Sequence, residues 1–254
     1  MSDAPTPTGS TPEVAIVVPV RNEAGNVGPL VEEIAAVLGG QLAFEVICVN
    51  DGSRDATEAE LDGLIRDRPW LRHVKHVVSC GQSSAIRTGV IAACAPIIVT
   101  MDGDGQNDPK FVPALLSALA SAGPRVGLVA GQRVGRQATG FRKLQSRIAN
   151  EVRSLVLKDH TRDTGCGLKA FPREVFLALP YFDALHRFLP ALVRRDGYDV
   201  AYVDVVDRPR RHGTSNYGMW DRLWVGLLDL AGVWWLIRRR KHIAAISEVR
   251  RDAR

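Results

Sequence analysis

The sequence predicts an α/β chain, a doubly wound and mostly parallel sheet with helices on both faces. Three observations predict it. The apolar run at 14–18 is continuous, as expected of a parallel strand buried on both faces, and 44–49 reads as a second buried strand. Helical patterns separate these runs at the spacing of right-handed crossovers. The polar clusters at 19–23, 50–55 and 102–106 all follow strand ends, where sheets of this kind bind ligands.

The elements are expected in the following order. A strand over Val14 to Val18 stops at Pro19, and a helix from about Asn26 to Leu38 is closed by Gly39-Gly40. Phe44 to Val49 forms a second strand, after which Asp55 caps a helix reaching about Arg66. His73 to Val78 gives a weak third strand, Gly81 to Cys94 a helix, and Pro96 to Met101 a fourth strand. A helix over Pro109 to Ala120 and a strand over Val126 to Ala130 complete the regular half. Beyond them come a basic helical stretch at Phe141 to Leu157, a Gly-rich turn at Asp163 to Gly167, and an alternating strand at Val200 to Val206.

Composition bounds the function. The 254 residues are 46% apolar and 24% charged, which excludes a disordered chain, a collagen-like repeat and a disulfide scaffold. The formal charge is +5, and residues 238–254, with seven basic and two acidic side chains, hold all of the excess. Such a tail suits a polyanion, either nucleic acid or an anionic membrane surface. Without aromatic stacking motifs or a recognisable DNA-binding helix, nucleic acid is set aside as a partner. Cys48, Cys80, Cys94 and Cys166 form no C-x-x-C pair and read as reduced thiols of a cytosolic compartment. Residues 1–12, rich in Ser, Thr and Pro, read as a disordered lead-in and not a signal peptide.

The chemistry concentrates at Asp102-Gly103-Asp104-Gly105-Gln106. Two carboxylates one residue apart with an amide two further on offer hard oxygen ligands for Mg²⁺ or Mn²⁺. The competing reading is a polar turn that satisfies its own hydrogen bonds. No G-x-x-x-x-G-K-[ST] loop and no G-x-G-x-x-G follows the first strand, which argues against a kinase-like NTPase and an NAD-dependent dehydrogenase.

Several motifs in order carry a resemblance: Val17 to Glu23, Val49 to Thr57, Asp102 to Gln106, Gly131-Gln132-Arg133, Arg142 with Ser146, Asp163 to Gly167, and Arg210 to Tyr217. Together they resemble an inverting family 2 glycosyltransferase of GT-A fold, in the branch of dolichol-phosphate mannosyltransferase and bacterial polyprenyl-phosphate glycosyltransferases. The resemblance covers roughly residues 13–220. It implies transfer of a sugar from a nucleotide-diphosphate donor, a UDP-sugar or GDP-mannose, to polyprenyl phosphate at the cytosolic membrane face. The alternative within the family is a sugar hydroxyl acceptor in polysaccharide or lipopolysaccharide synthesis.

Carried over by position, the resemblance implies that Pro19, Asn22, Glu23, Asp51 and Asp102 line the donor pocket. Asp102, Asp104 and Gln106 match the set that holds Mg²⁺ or Mn²⁺. Arg133, Arg142 and Ser146 match the grip on the acceptor phosphate, while Arg211 and Ser215 lie in the loop that closes over the donor. Asp102, Asp104 and Arg133 are thereby the expected catalytic residues. The chain departs from the pattern at Gly105, at Thr164 to Gly167, and at Asn216, where a lysine is common.

The expected organisation is a lead-in at 1–12, a glycosyltransferase domain at 13–220, and a Trp-rich apolar helix with a basic tail at 221–254. Leu223 to Ile237 holds 15 residues, which as a helix span roughly 22 Å against a hydrocarbon core of about 30 Å. With Asp229 in its middle and Trp220, Trp224, Trp234 and Trp235 around it, the segment suits a helix lying in the membrane interface. The alternatives are packing on the protein's own core, a homo-oligomer or a small membrane-protein partner. The expected location is the inner face of the cell membrane, by peripheral attachment.

Overall fold

Side chains along β1 (Val14–Val20) leave the strand alternately to its two faces, and both faces are covered. Ala15 and Val17 join one apolar cluster, with Ala85, Ile86 and Val90; Ile16 and Val18 join the other, with Leu30, Val31, Ile34 and Leu38. That two-sided burial is why the run is apolar without interruption. The computed structural model describes residues 11–134, 153–157, 161, 163–209 and 219–240, with the backbone alone at 219–225 and 227.

The chain continues through α1 (Val27–Leu38), β2 (Phe44–Asp51), α2 (Thr57–Leu64), β3 (Leu71–His76), α3 (Gln82–Ala92), β4 (Ile97–Thr100), α4 (Val112–Ser121) and β5 (Val126–Arg133). Then come β6 (Lys169–Pro172), α5 (Arg173–Ala178), α6 (Leu185–Arg195), β7 (Asp199–Val205) and α7 (Met219–Arg238). The seven strands form one sheet in the order β3-β2-β1-β4-β6-β5-β7. All pairings are parallel except those of β6, which runs antiparallel to both β4 and β5.

The helices follow from their spacing and their ends. Val27, Leu30, Val31, Ile34 and Leu38 give α1 one buried stripe, and the Gly39 N–H closes on the Ala35 carbonyl. Its first turn is satisfied from outside: Glu60 of α2 accepts the N–H groups of Gly25 and Gly28 at 2.7 and 2.8 Å. The N-cap of α2 is Ala56 rather than the expected Asp55, which from one residue earlier accepts the Thr57 N–H at 3.0 Å.

Several boundaries differ from expectation. The third strand is Leu71–His76 rather than 73–78, because Val77 and Val78 are exposed beyond its end. The fifth strand continues to Arg133, paired along its length with β7. Strand β6 and helices α5 and α6 were not anticipated: Lys169-Ala170-Phe171-Pro172 is too short, and too polar at one end, to show a period. Of the expected helix over 141–157, residues 153–157 are described and helical.

Helix α7 has 20 residues. No described helix is long and apolar enough to cross a membrane. One side of α7 packs inward through Val233, which is buried, with Leu230, Leu236 and Ile237 against the same cluster. The Arg195 Nε–H also donates to the Leu236 carbonyl at 3.0 Å. Its other side leaves Leu228 at 73% and Trp235 at 55% exposure. One side of the helix therefore packs on the protein's own core, and the other is exposed.

Candidate active site

The carboxyl ends of β1, β2, β4, β5 and β7 lie along one edge of the sheet. The β1 and β2 loops lock together. Asn22 sits in the left-handed region at φ 56°, a conformation Asn tolerates better than most residues. It is held there by its N–H to Ser53 Oγ at 3.0 Å and by its Oδ1, which accepts the Arg54 N–H at 2.8 Å. The Glu23 N–H donates to Thr57 Oγ1 at 2.9 Å, and Glu23 Oε2 accepts from Asn26 Nδ2 at 2.7 Å. Pro19 is half-buried at the end of β1.

Asp51 ends β2 and is buried. Oδ1 accepts the Cys80 N–H and meets His76 Nδ1, both at 2.7 Å; Oδ2 accepts Ser79 Oγ–H at 2.7 Å and the Gly81 N–H at 2.9 Å. Burial alone would raise its pKa, but these donors outweigh it and hold the carboxyl below its usual value. The carboxylate thus fixes the 79–81 loop and the start of α3.

The acidic pair follows β4. The Asp102 N–H donates to Asn107 Oδ1 at 3.0 Å, and Asp104 Oδ1 accepts the Gln106 N–H at 3.0 Å, so the loop folds back on itself. Gly105 turns it at φ 73°, which explains why glycine stands there. Gln82 Nε2–H donates to Asp102 Oδ1 at 2.8 Å. The other carboxylate oxygen lies against Gly167: a Cβ there would meet Asp102 Oδ2 at 2.3 Å. Burial first, and the Asp104 charge second, push the Asp102 carboxyl up to about 6, against the opposing pull of Lys169 and Arg133.

The loop's far side is clamped from β7. The Arg208 N–H donates to the Gln106 carbonyl at 2.8 Å, and its guanidinium reaches Glu33 of α1 and Asp108, each at 2.5 Å. Asn107 Nδ2–H reaches Asp207 Oδ1 at 3.4 Å.

Arg133 ends β5 in a two-pronged pair with Asp163, Nε to Oδ2 at 2.5 Å and Nη2 to Oδ1 at 2.8 Å, while Nη1 meets Asp207 Oδ2 at 3.2 Å. Burial opposes the charge of Asp163, but Arg133 overcomes it and holds that carboxyl below the usual range. Lys169, buried on β6, donates to the Cys166 carbonyl; burial lowers its pKa, with Asp102 among the charges that resist the shift. His186 of α6 bonds Ser83 Oγ through Nδ1 at 2.7 Å, and burial, then Lys169 and Arg187, push it down to about 3.

The structure thus brings together Pro19, Asn22, Glu23, Asp102, Asp104, Gln106 and Arg133, with Asp51 one layer behind. Arg142, Ser146, Arg211 and Ser215 lie outside the described residues. Gln82, Asn107, Asp108, Lys169, Asp207 and Arg208 also build the site but escaped sequence reasoning. Asn107-Asp108 directly follow the acidic motif and were within reach; Gln82 and Lys169 show no local signal.

Two neighbouring carboxylates, one raised by burial and like charge and packed on a glycine that leaves it room, fit a hard divalent cation. Asp102, Asp104 and Gln106 are the residues that would hold it.

The profile of glycosyl transferase family 2 matches residues 15–179. Dodecaprenyl-phosphate galacturonate synthase of Rhizobium johnstonii is 35% identical over 231 residues, 89% of this chain and 68% of that protein. Undecaprenyl-phosphate 4-deoxy-4-formamido-L-arabinose transferase of Aeromonas hydrophila is 31% identical over 213 residues, 81% of this chain; the match spans 63% of that relative's length. Among solved structures, glucosyl-3-phosphoglycerate synthase from Mycobacterium tuberculosis with Mg²⁺ and UDP superposes with a TM-score of 0.67 at 20% identity, covering 89% of this chain and 79% of that one. Its complex with Mn²⁺, UDP and glucosyl-3-phosphoglycerate gives 0.66 at 19%, covering 89% and 80%. At those identities the likeness is one of fold.

Proposed function

The chain belongs to glycosyl transferase family 2, and we propose that it transfers a sugar, with inversion, from a nucleotide-diphosphate donor to polyprenyl phosphate. The observation that carries the proposal is the acidic pair Asp102–Asp104 at the end of β4, within electrostatic reach of Arg133 and Asp207, with Arg133 tied to Asp163 and Asp207. Relatives named for dodecaprenyl and undecaprenyl phosphate point to the acceptor class.

The available groups suit a phosphate nucleophile. A phosphate monoester has a second pKa near ~6, so at neutral pH it is already largely dianionic and needs no strong base. Asp163 is held low by Arg133 and His186 is held neutral, which leaves neither tuned as the general base a hydroxyl acceptor would require. Catalysis then rests on positioning and on charge at the leaving group. Asn22, Glu23 and the loops they lock form the donor wall, and Asp51 positions it from behind. Arg133 presents the β5 end to the acceptor side, with Arg142 and Ser146 assigned to the same phosphate by the family pattern, and Arg211 and Ser215 to closure over the donor. Asp102, Asp104 and Gln106 would hold Mg²⁺ or Mn²⁺, which when bound neutralises charge on the departing diphosphate.

The same proposal places the enzyme on an anionic membrane surface, from the cytosolic side, through the outer face of α7. Leu228, Trp234 and Trp235 are exposed there, and Arg238 and Arg239 lie over the Trp234 and Trp235 rings at 4.1 and 5.9 Å. The domain division is taken at 13–220 and 221–254, although α7 packs back on the core.

The test is transfer from a panel of radiolabelled nucleotide sugars to undecaprenyl phosphate with Mg²⁺ or Mn²⁺. Transfer to the lipid is expected, and Asp102→Ala should abolish both activity and metal dependence. Full activity in that variant, or transfer only to sugar hydroxyls, overturns the proposal.

A further inference from the structure

We propose that Asp51, His76 and Cys80 form a second metal site, separate from the Asp102–Asp104 pair and selective for a borderline-soft divalent ion of the zinc class. The backbone brings the three together. Asp51 and His76 end neighbouring parallel strands and stand opposite each other in the β2–β3 register. Cys80 follows on the loop that Asp51 itself anchors. One ligand atom from each of the three lies within 4.8 Å of the others. Tetrahedral ligands at zinc distances stand roughly 3.4–3.6 Å apart, so small side-chain rotations suffice.

The donor set decides the metal. A carboxylate, an imidazole and a thiol together select zinc-like ions, whereas Mg²⁺ takes oxygen ligands such as those of Asp102 and Asp104. The outer shell is already built. His76 Nε2 sits 2.9 Å from Thr88 Oγ1, the second contact that orients a metal-bound imidazole. Asp51 Oδ2 is steadied by Ser79 and Gly81. Cys80 is exposed, which leaves an access path and a fourth position for water.

The protons balance. The ion replaces the hydrogen bond between His76 Nδ1 and Asp51 Oδ1. Bound to the ion through Nδ1, the imidazole carries one proton on Nε2, which Thr88 Oγ1 accepts, and any excess proton leaves to solvent. The Cys80 thiol loses one proton to solvent as the metal–sulfur bond forms. Asp51 is already ionised and contributes none.

The full-length protein is titrated with Co²⁺, a spectroscopic stand-in for Zn²⁺, in saturating Mg²⁺ that occupies the oxygen site. A near-ultraviolet thiolate-to-cobalt band is expected. Cys80→Ser should abolish the band, while Cys94→Ser, which removes the other exposed thiol, should keep it. Thr88→Val, through the outer shell, should weaken Co²⁺ affinity by roughly 10–100-fold. Circular dichroism of Cys80→Ser verifies folding. The proposal is overturned if no band forms, if the band survives Cys80→Ser, or if Co²⁺ binding is lost only in Asp102→Asn.

Discussion

Replacing Asp102 by Asn should stabilise the metal-free protein while destroying its activity. The carboxyl is held near 6 against an ordinary value of 3.8, so at pH 8 its ionisation costs the fold about two pH units' worth of free energy. At about 1.4 kcal/mol per unit this is about 3 kcal/mol, with the attraction of Lys169 and Arg133 already included. Asn keeps the shape and still accepts the Gln82 hydrogen bond. The sign follows from proton uptake: between pH 3.8 and about 6 the folded state holds a proton that the unfolded state has lost, so native stability falls as pH rises through that window and stays lower above it. The Asn variant lacks this loss. Its advantage should be about 3 kcal/mol at pH 8 and roughly half that at pH 5, equivalent at pH 8 to roughly 5–10 °C in Tm for a chain of this size. Thermal or denaturant unfolding in EDTA across pH 5–8 reads it directly. An Asn variant that is less stable than wild type at pH 8, or a difference that does not change with pH, would refute the electrostatic account of the acidic pair.

Other substitutions probe the neighbouring supports. Gly167→Ala places a methyl 2.3 Å from Asp102 Oδ2 and must displace the carboxylate; transfer should fall by about 10²-fold, as for misplacements of about 1 Å. A Gly167→Ala enzyme with normal kcat and normal metal affinity would contradict the geometry. Arg208→Ala frees Glu33 and Asp108 together, so metal affinity should drop roughly 10–100-fold with about 1–3 kcal/mol of stability; calorimetric Mn²⁺ titration measures the first and urea unfolding the second. Leu228→Ser with Trp235→Ser removes exposed apolar surface from α7; sedimentation with anionic vesicles should show binding weakened by tenfold or more, with Tm nearly unchanged. Undiminished vesicle binding would move the membrane contact elsewhere.

The parallel core was legible because burial on both faces writes itself into sequence as apolar runs, unbroken at 14–18 and interrupted at 44–49 by Glu45 alone, whose buried carboxylate pairs with Arg72. Strand β6 was not, because four residues beginning with a buried lysine carry no period, and only pairing with β4 and β5 makes them a strand. The same contrast holds within the site. Asp102, Asp104 and Gln106 were visible because they are contiguous. Lys169, Asp207 and Arg208 were invisible because what places them beside the motif is sheet order, with contacts such as Arg208–Glu33 spanning 175 positions. The role of Asp51 was legible as a place but not as a contact: the sequence shows an acid at a strand end, while only the fold shows four donors closing over it.

Arg133 is where the charges of the site meet. Asp102, Asp104, Asp163 and Asp207 face Arg133 and Lys169, four negative groups against two positive ones when all are ionised, and one divalent cation restores neutrality. Three of the five N–H groups of Arg133 go to Asp163 and Asp207, so the guanidinium is fixed before any acceptor arrives, and under the proposed function its remaining edge would meet the acceptor phosphate without rotamer loss. Lysine would keep the charge and lose the fork. Arg133→Lys should therefore raise the KM for the lipid phosphate by tenfold or more while sparing the KM for the nucleotide sugar, and Asp163→Asn should produce the same split by loosening the arginine. A fall in kcat with both KM values unchanged would instead make Arg133 part of the leaving-group machinery, and the acceptor phosphate would then have to be assigned to another side of the site.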